Sequence, residues 1–184
     1  EPEYRREGAG LAVRYGVHDC PFGSCLLAVT DRGLCHLAFA DNPQAARAQI
    51  PDLTREWPLA SCIEAEEETA TWLKRIFPTA HRGGDHQDAA LPLLLRGSPF
   101  QLKVWEALLA VPDGALLSYQ QLAGQCGQAS ATRAVASAVA NNRIGYLIPC
   151  HRVIRANGAL GGYHWDPLRK RALIAWEAAR EAGD

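Results

Sequence analysis

Apolar and polar positions alternate at the start of the chain. Leu11, Val13 and Tyr15 fall on one face, and Leu26-Leu27-Ala28-Val29 follows as a short unbroken apolar run. A period of two is the signature of a half-buried strand, and a short continuous run suits a strand covered on both faces. With Asp31-Arg32-Gly33 as a turn and Leu34 to Phe39 as the returning strand, residues 12–40 are expected to form a hairpin. The period then lengthens. Pro43 to Ile50 suits a short helix. Ile63 to Phe77 suits a longer one, with Ile63, Thr69/Ala70, Leu73 and Phe77 on one face. Glu64, Glu66, Glu67 and Glu68 come early in that helix, where carboxylates favour the positive end of the helix dipole, and Pro78 ends it. Residues 79–90 include His81-Arg82-Gly83-Gly84-Asp85-His86 and read as a polar loop. Leu91 to Leu95 reads as a strand that closes the first region.

The second region opens at Ser98-Pro99-Phe100-Gln101. Ser98 suits a helix N-cap, Pro99 the first helical position, and Gln101 the far side of a capping box. Phe100, Val104, Leu108 and Leu109 give that helix its apolar stripe. Pro112-Asp113-Gly114 is a turn. Ser118 with Gln121 repeats the capping box and opens a short helix to Ala123. Gly124 to Ala129 is a tight connection, and Ser130 is expected to cap a third helix through Ala140. Two short helices joined by a Gly-containing turn have the shape of a helix-turn-helix. The third helix, Ala131 to Ala140, carries Arg133 as its single side chain suited to reading base edges in a major groove. Its small residues would let a helix backbone come close to a surface, or pack as a thin core helix.

Length and charge narrow this picture. The chain of 184 residues suits one large or two small domains, divided here as 1–95 and 96–184, and can bury roughly 70% of its unfolded surface. No apolar run is long enough to cross a membrane, and Glu1-Pro2-Glu3-Tyr4-Arg5-Arg6 opens no signal-peptide pattern. Six Cys at irregular spacings read as reduced thiols, and a cytoplasmic location is expected. With no Met at all, the chain is expected to be processed or excised from a longer protein. Residues 1–95 carry nine Lys and Arg against fourteen Asp and Glu, whereas residues 96–184 carry ten against six. A basic second half suits a polyanionic partner or a solvated face.

The chemistry concentrates in that basic half, at Pro149-Cys150-His151-Arg152-Val153. A thiol attacks only as its thiolate, and a neighbouring base or cation is expected to raise the thiolate fraction. Proline fixes the backbone ahead of Cys150 and removes one amide donor, which favours a turn over a regular strand. Asn141-Asn142 lies one short segment upstream, and Glu177 stands in an apolar stretch downstream, in helical register with Leu173. A buried carboxylate there is costly unless paired. Adjacent Cys and His are not a protease signature, because those dyads meet only through the fold. The spacing therefore points to an activated thiol without naming a substrate.

A larger set of residues carries a resemblance. Ser98-Pro99-Phe100-Gln101, Val104-Trp105, Ser118-Tyr119, Leu122-Ala123, Arg133-Ala134-Val135, Asn142, Ile148 to Ile154, Gly158 to Tyr163 and Arg169-Lys170 through Leu173 to Glu177 closely resemble the O6-alkylguanine-DNA alkyltransferases. The details are most similar to the bacterial Ada-type branch, and the first half matches chiefly at Pro21-Phe22-Gly23 and Asp31-Arg32-Gly33-Leu34. In that branch a stretch like Pro2-Glu3-Tyr4-Arg5-Arg6 follows a transcription-factor segment.

The resemblance implies an α/β fold. An N-terminal ribonuclease-H-like α/β domain with a structural or regulatory role would precede a mostly helical, winged-helix-like DNA-binding and catalytic domain. It implies single-turnover transfer of an alkyl group from O6-alkylguanine in double-stranded DNA to Cys150, with O4-alkylthymine as a further candidate. No cofactor or metal is implied, and the protein is expected to be a monomer. His151 would be the base, acting through a bound water, and Glu177 the carboxylate that orients it. Asn142 would tie the loop before Cys150 to the DNA-binding helix, and Tyr119 would donate to guanine N3 and crowd the DNA backbone. Arg133 would fill the space of a flipped base, with Thr132, Ala134, Arg143 and Tyr119 also on DNA. Val153, Gly161, Tyr163, His164 and Val139 would line the base pocket. Two positions depart from the family pattern. Arg143 replaces a common Pro after Asn142, and His164-Trp165-Asp166 carries His and Asp where Arg and Gly are common, which bears on lesion size. Two other readings compete: a lesion-binding module without chemistry, whose relatives replace the reactive Cys, and a zinc module on Cys20, Cys25, Cys35 and His36, whose spacing departs from usual ligand pairs.

Overall fold

The computed structural model describes residues 8–78 and 91–181. The chain divides into two compact units, Glu1–Arg96 and Gly97–Asp184. The first is built on a sheet and the second on helices, which is the expected α/β architecture. The loop read at 79–90 and the Pro2 to Arg6 stretch lie outside the described residues. No helix among the described residues is long and apolar enough to cross a membrane.

In the first unit β1 (Ala12–Cys20), β2 (Gly23–Thr30) and β3 (Gly33–Ala40) form an antiparallel meander, and β4 (Ser61–Glu64) pairs parallel to β1. The sheet order is β3-β2-β1-β4. The expected hairpin is thus three strands, because Pro21-Phe22 makes a second turn. Two short helices, α1 (Pro43–Arg47) and α2 (Ile50–Glu56), stand where one was expected; Pro51 restarts the second. Ile63 lies in β4 and is half exposed, so α3 begins only at Glu66 and runs to Ile76. Residues 61–64 find backbone partners along the open edge of β1, and that pairing overrides their helical spacing. Leu91 to Leu95 makes a single bridge, Leu34 to Leu93, and no strand. Gly33 has a φ of +131°, and a Cβ there would meet the Pro92 carbonyl at 2.3 Å, so this turn admits glycine alone. The core joins Val13, Leu26, Ala28, Cys35, Leu53 and Trp57. Cys35 points into it, and neighbours in a strand point to opposite faces, so Cys35 and His36 cannot converge on one ion. Among the described residues no group of three or more His, Cys, Asp or Glu is placed to hold a metal.

The second unit contains α4 (Pro99–Leu109), β5 (Leu117–Ser118), α5 (Tyr119–Gln125), α6 (Thr132–Ala140), β6 (Val153–Ile154) and α7 (Pro167–Glu181). Both capping boxes form. Ser98 N donates to Gln101 Oε1 at 2.8 Å, and Ser118 N donates to Gln121 Oε1 at 2.7 Å. In α4 the buried stripe is Val104, Trp105 and Leu108, whereas Leu109 is exposed. Trp105 Nε1 donates to the Ala138 carbonyl at 2.9 Å and fastens α4 to α6. α5 runs past Ala123 to a C-terminal cap in which Gly127, at φ +66°, and Gln128 return their amides to Gly124 and Ala123. α6 starts at Thr132 with no side-chain cap, so the expected Ser130 cap does not form. Val135, Ala138 and Val139 are its buried face, and Arg133, Ala134, Ser137 and Ala140 its exposed one.

Candidate active site

The thiol site is assembled from the loop 141–149, a tight 3₁₀ turn over Cys150–Arg152, and one face of α7. Proline at 149 donates no amide and accepts from Arg152 N at 3.0 Å, while Cys150 N donates to the Ile148 carbonyl at 2.7 Å. The turn sets Cys150, His151 and Arg152 in sequence, all buried. Asn142, wholly buried, holds the loop at both ends. Its Oδ1 accepts from Ile144 N at 2.8 Å, and its Nδ2 lies 3.0 Å from the Ile144 carbonyl, 3.1 Å from that of Ile148 and 3.2 Å from Cys150 Sγ. Two amide hydrogens serve three acceptors, so the sulfur shares its donor.

The resting sulfur is a thiol. Burial pushes Cys150 up to about 11, against the Asn142 donor, the Lys170 charge and the Tyr163 hydroxyl, which all favour the thiolate. At that value roughly one molecule in ten thousand is ionised at neutral pH. The neighbours act in the expected direction, but desolvation outweighs them, so the net shift is toward the thiol. The Tyr163 hydroxyl acts from outside normal hydrogen-bond geometry; it is buried without a hydrogen-bond partner, and burial drives it far above its ordinary range.

His151 Nε2 and Glu177 Oε1 are 2.7 Å apart. Arg152 forks onto the same carboxylate, Nε to Oε2 at 3.0 Å and Nη2 to Oε1 at 2.8 Å. Burial favours the neutral acid, but the bonds from His151 and Arg152 outweigh it and bring Glu177 down to about 2. An ionised carboxylate only accepts, so Nε2 carries the hydrogen, and in the neutral ring Nδ1 is a bare lone pair. That Nδ1 is buried and has no protein partner. Arg152 also reaches the Val111 carbonyl and Asp113, so the ion pair is anchored on the turn that follows α4.

The fold brings Asn142 against Cys150 and Glu177 against His151, and it adds three residues that the sequence pattern did not mark as part of the site. Arg152 was visible only as the next charged position. Lys170 is wholly buried, and its Nζ donates to Val153 O at 2.6 Å, to Leu160 O and to Gly162 O at 3.2 Å. Burial lowers it to about 8. The spacing of Lys170, Leu173 and Glu177 places all three on one face of α7 and was its available signal. Tyr146 stacks on the His151 ring, and nothing in the sequence pattern marked it.

The other expected residues are placed as follows. Tyr119 opens α5, half-buried; burial, then the nearby Cys150 charge, push its hydroxyl up. Val153 is buried and its carbonyl already accepts from Lys170. Gly161 faces the Arg155 side chain, and His164 is exposed with its ring against Trp165. Thr132 and Arg143 are half-buried, and Arg133 and Ala134 are exposed. Val139 packs inward with Val135. A cavity of about 700 Å³ lies between the end of α4, Pro112 to Leu117, and α5, and it is lined by none of the residues expected around the base.

Two family models match the chain. The ribonuclease-like domain of 6-O-methylguanine DNA methyltransferase matches residues 13–77, and its DNA-binding domain matches residues 99–179. A methylated-DNA–protein-cysteine methyltransferase of Mycolicibacterium paratuberculosis is 34% identical over 90% of this chain and 92% of its own length. The chain belongs to the methylated-DNA–protein-cysteine methyltransferase family. The Escherichia coli bifunctional transcriptional activator/DNA repair enzyme Ada is 38% identical over 97% of this chain and 49% of its own length. The chain thus spans about half the length of that relative. The crystal structure of Mycobacterium tuberculosis OGT in complex with DNA superposes with a TM-score of 0.69 at 33% identity, covering 91% of this chain and 94% of that one. Within the methyltransferase family match, the whole thiol cluster from Asn142 to Glu177 falls inside the DNA-binding segment.

Proposed function

We propose that this methyltransferase-family chain repairs DNA by direct reversal, taking the alkyl group from O6-alkylguanine in double-stranded DNA onto Cys150, as a cytoplasmic monomer. One observation carries the reading: a buried thiol next in sequence to an imidazole whose far nitrogen is fixed by an ionised carboxylate. The bare Nδ1 takes the thiol proton through a bridging water as the base docks. A sulfur lone pair attacks the alkyl carbon, the carbon–O6 bond breaks, and its electrons pass to guanine. Glu177 balances the imidazolium that results, and the Asn142 amide and Lys170 ammonium stabilise the developing thiolate. Tyr119 donates toward guanine N3 as charge builds there. The carbonyls of Cys150 and Val153, with Gly161, Tyr163 and His164, face the extruded base; the Val153 oxygen keeps a lone pair beyond its bond to Lys170. Val139, on the buried face of α6, completes the pocket lining.

The exposed face of α6, small except at Arg133, favours close approach to a minor groove without sequence readout. Arg133 fills the gap of the flipped base, and Thr132, Ala134, Arg143 and Tyr119 flank the DNA backbone. Extruding a base costs a few kcal/mol, less where pairing is already weak. The product is a thioether, which water does not cleave, so the Cys150 thiol is spent. Intact mass after mixing with excess methylated oligonucleotide tests the reading. One methyl group per chain, mapped to Cys150, is the expected result; continued conversion of DNA beyond one group per chain would refute it.

A further inference from the structure

We propose that Tyr146 is a positioning residue, clamping the plane of the His151 ring so that its partnerless Nδ1 keeps one orientation for proton transfer. This rests on the alkyl-transfer reading and deepens it. His151 is held by one hydrogen bond, Nε2 to Glu177, and its other nitrogen has no protein partner. One bond at one edge leaves an imidazole free to rock about that edge. Tyr146 supplies the second constraint: its ring lies nearly parallel to the imidazole, 13° between planes and 6.2 Å between centroids, in the offset-stacked range.

The tyrosine is itself fixed from α7. Trp176 meets it edge-on at 5.6 Å, and the Arg180 guanidinium sits 4.8 Å over the Trp176 ring and donates to the Tyr146 hydroxyl at 3.4 Å. Trp176 precedes Glu177, so one turn of α7 holds both the carboxylate that bonds His151 and the ring that backs its stacking partner. The backbone marks the site independently. Tyr146 has φ +64°, left-handed, which is unfavourable for a residue with a bulky side chain. Such a conformation persists where the surroundings over-determine it, and here it turns the ring onto His151.

The backbone strain gives the test its discrimination. Asparagine accepts a left-handed conformation readily, so Y146N removes the ring while relieving the backbone. The rate of methyl transfer at saturating methylated oligonucleotide should fall about tenfold in Y146N, with thermal stability maintained. Affinity for the same oligonucleotide, measured in C150A and in C150A/Y146N, should agree within twofold. Y146F keeps the ring and should transfer within twofold of wild type. A wild-type rate in Y146N, an equal loss in Y146F, or a loss confined to affinity overturns the proposal. Proton-detected NMR of the His151 ring reads the clamp without any transfer: sharp signals in wild type and Y146F, broadened ones in Y146N, support it, and identical signals in all three overturn it. Should wild type fail to transfer at all, the alkyl-transfer reading falls, and the NMR comparison still decides the clamp.

Discussion

Cys35 in the sheet unit and Cys150 in the helical unit are both buried thiols, yet they hold opposite ends of a hydrogen bond. Cys35 Sγ donates to the Ala28 carbonyl at 3.5 Å, whereas Cys150 Sγ accepts from the Asn142 amide at 3.2 Å. A carbonyl partner locks the proton on; an amide partner stabilises the sulfur once the proton has gone. Burial raises both, and Cys35 lies far above any working range while Cys150 reaches about 11. The same contrast runs through the two units. In the sheet unit the long charged pairs, such as Arg14 with Asp31 and Glu68, stay at the surface. In the helical unit Arg152 and Glu177 are buried as an ion pair against His151, and Lys170 is buried with its charge near Cys150. Burying charges is costly, and this unit concentrates that cost at the proposed site.

Replacing each thiol tests the contrast at its widest. C150A should abolish the mass increase with methylated oligonucleotide, and C35A should transfer at the wild-type rate; transfer surviving in C150A would remove the distinction. Next comes the carboxylate. E177Q leaves Arg152 without its buried counter-charge and His151 without an anionic anchor, so denaturant unfolding should show a loss of about 3–5 kcal/mol. Its transfer rate should fall on the order of a hundredfold, the usual scale for a lost proton-transfer partner. Acid titration is a milder probe of the same group. Glu177 sits at about 2 in the folded chain against 4.5 ordinarily, so its folded value is depressed. Its contribution, roughly 3 kcal/mol, is complete above its unfolded value and disappears as pH falls from about 4.5 toward 2. Urea unfolding across that window should show the loss in wild type and its absence in E177Q. The smallest effect belongs to the sheet surface: R14Q breaks two ion pairs whose carboxylates are exposed and should cost about 1 kcal/mol by the same assay. A larger loss there would mean that both units depend on charge alike.

Local rules made much of the helical unit legible. Ser98 with Gln101, and Ser118 with Gln121, satisfy helix amides within four residues, so the sequence alone placed the starts of α4 and α5. Alternation at Leu11, Val13 and Tyr15 and the apolar run Leu26 to Val29 point to strands within 12–40, but not to the turn at Pro21-Phe22 that makes three strands of an expected hairpin. Pairing with distant partners was not legible. Ile63 has helical spacing, yet it joins β4 because the edge of β1 lies open beside it, and Leu91 to Leu95 has strand composition but forms a single bridge.

For the candidate site, the adjacent Cys-His pair and a lone Glu177 in an apolar stretch singled out Cys150, His151 and Glu177, and the resemblance gave Asn142 its proposed role. The chain by itself could not say that the thiol rests protonated, that Arg152 shares the carboxylate of Glu177, or that Lys170 draws three carbonyls together. Nor could it place Tyr146 against the imidazole. These properties depend on desolvation and on distances between residues far apart in sequence. Functional groups are properties of residues, whereas proton affinity and ring orientation belong to the surroundings that only the folded chain supplies.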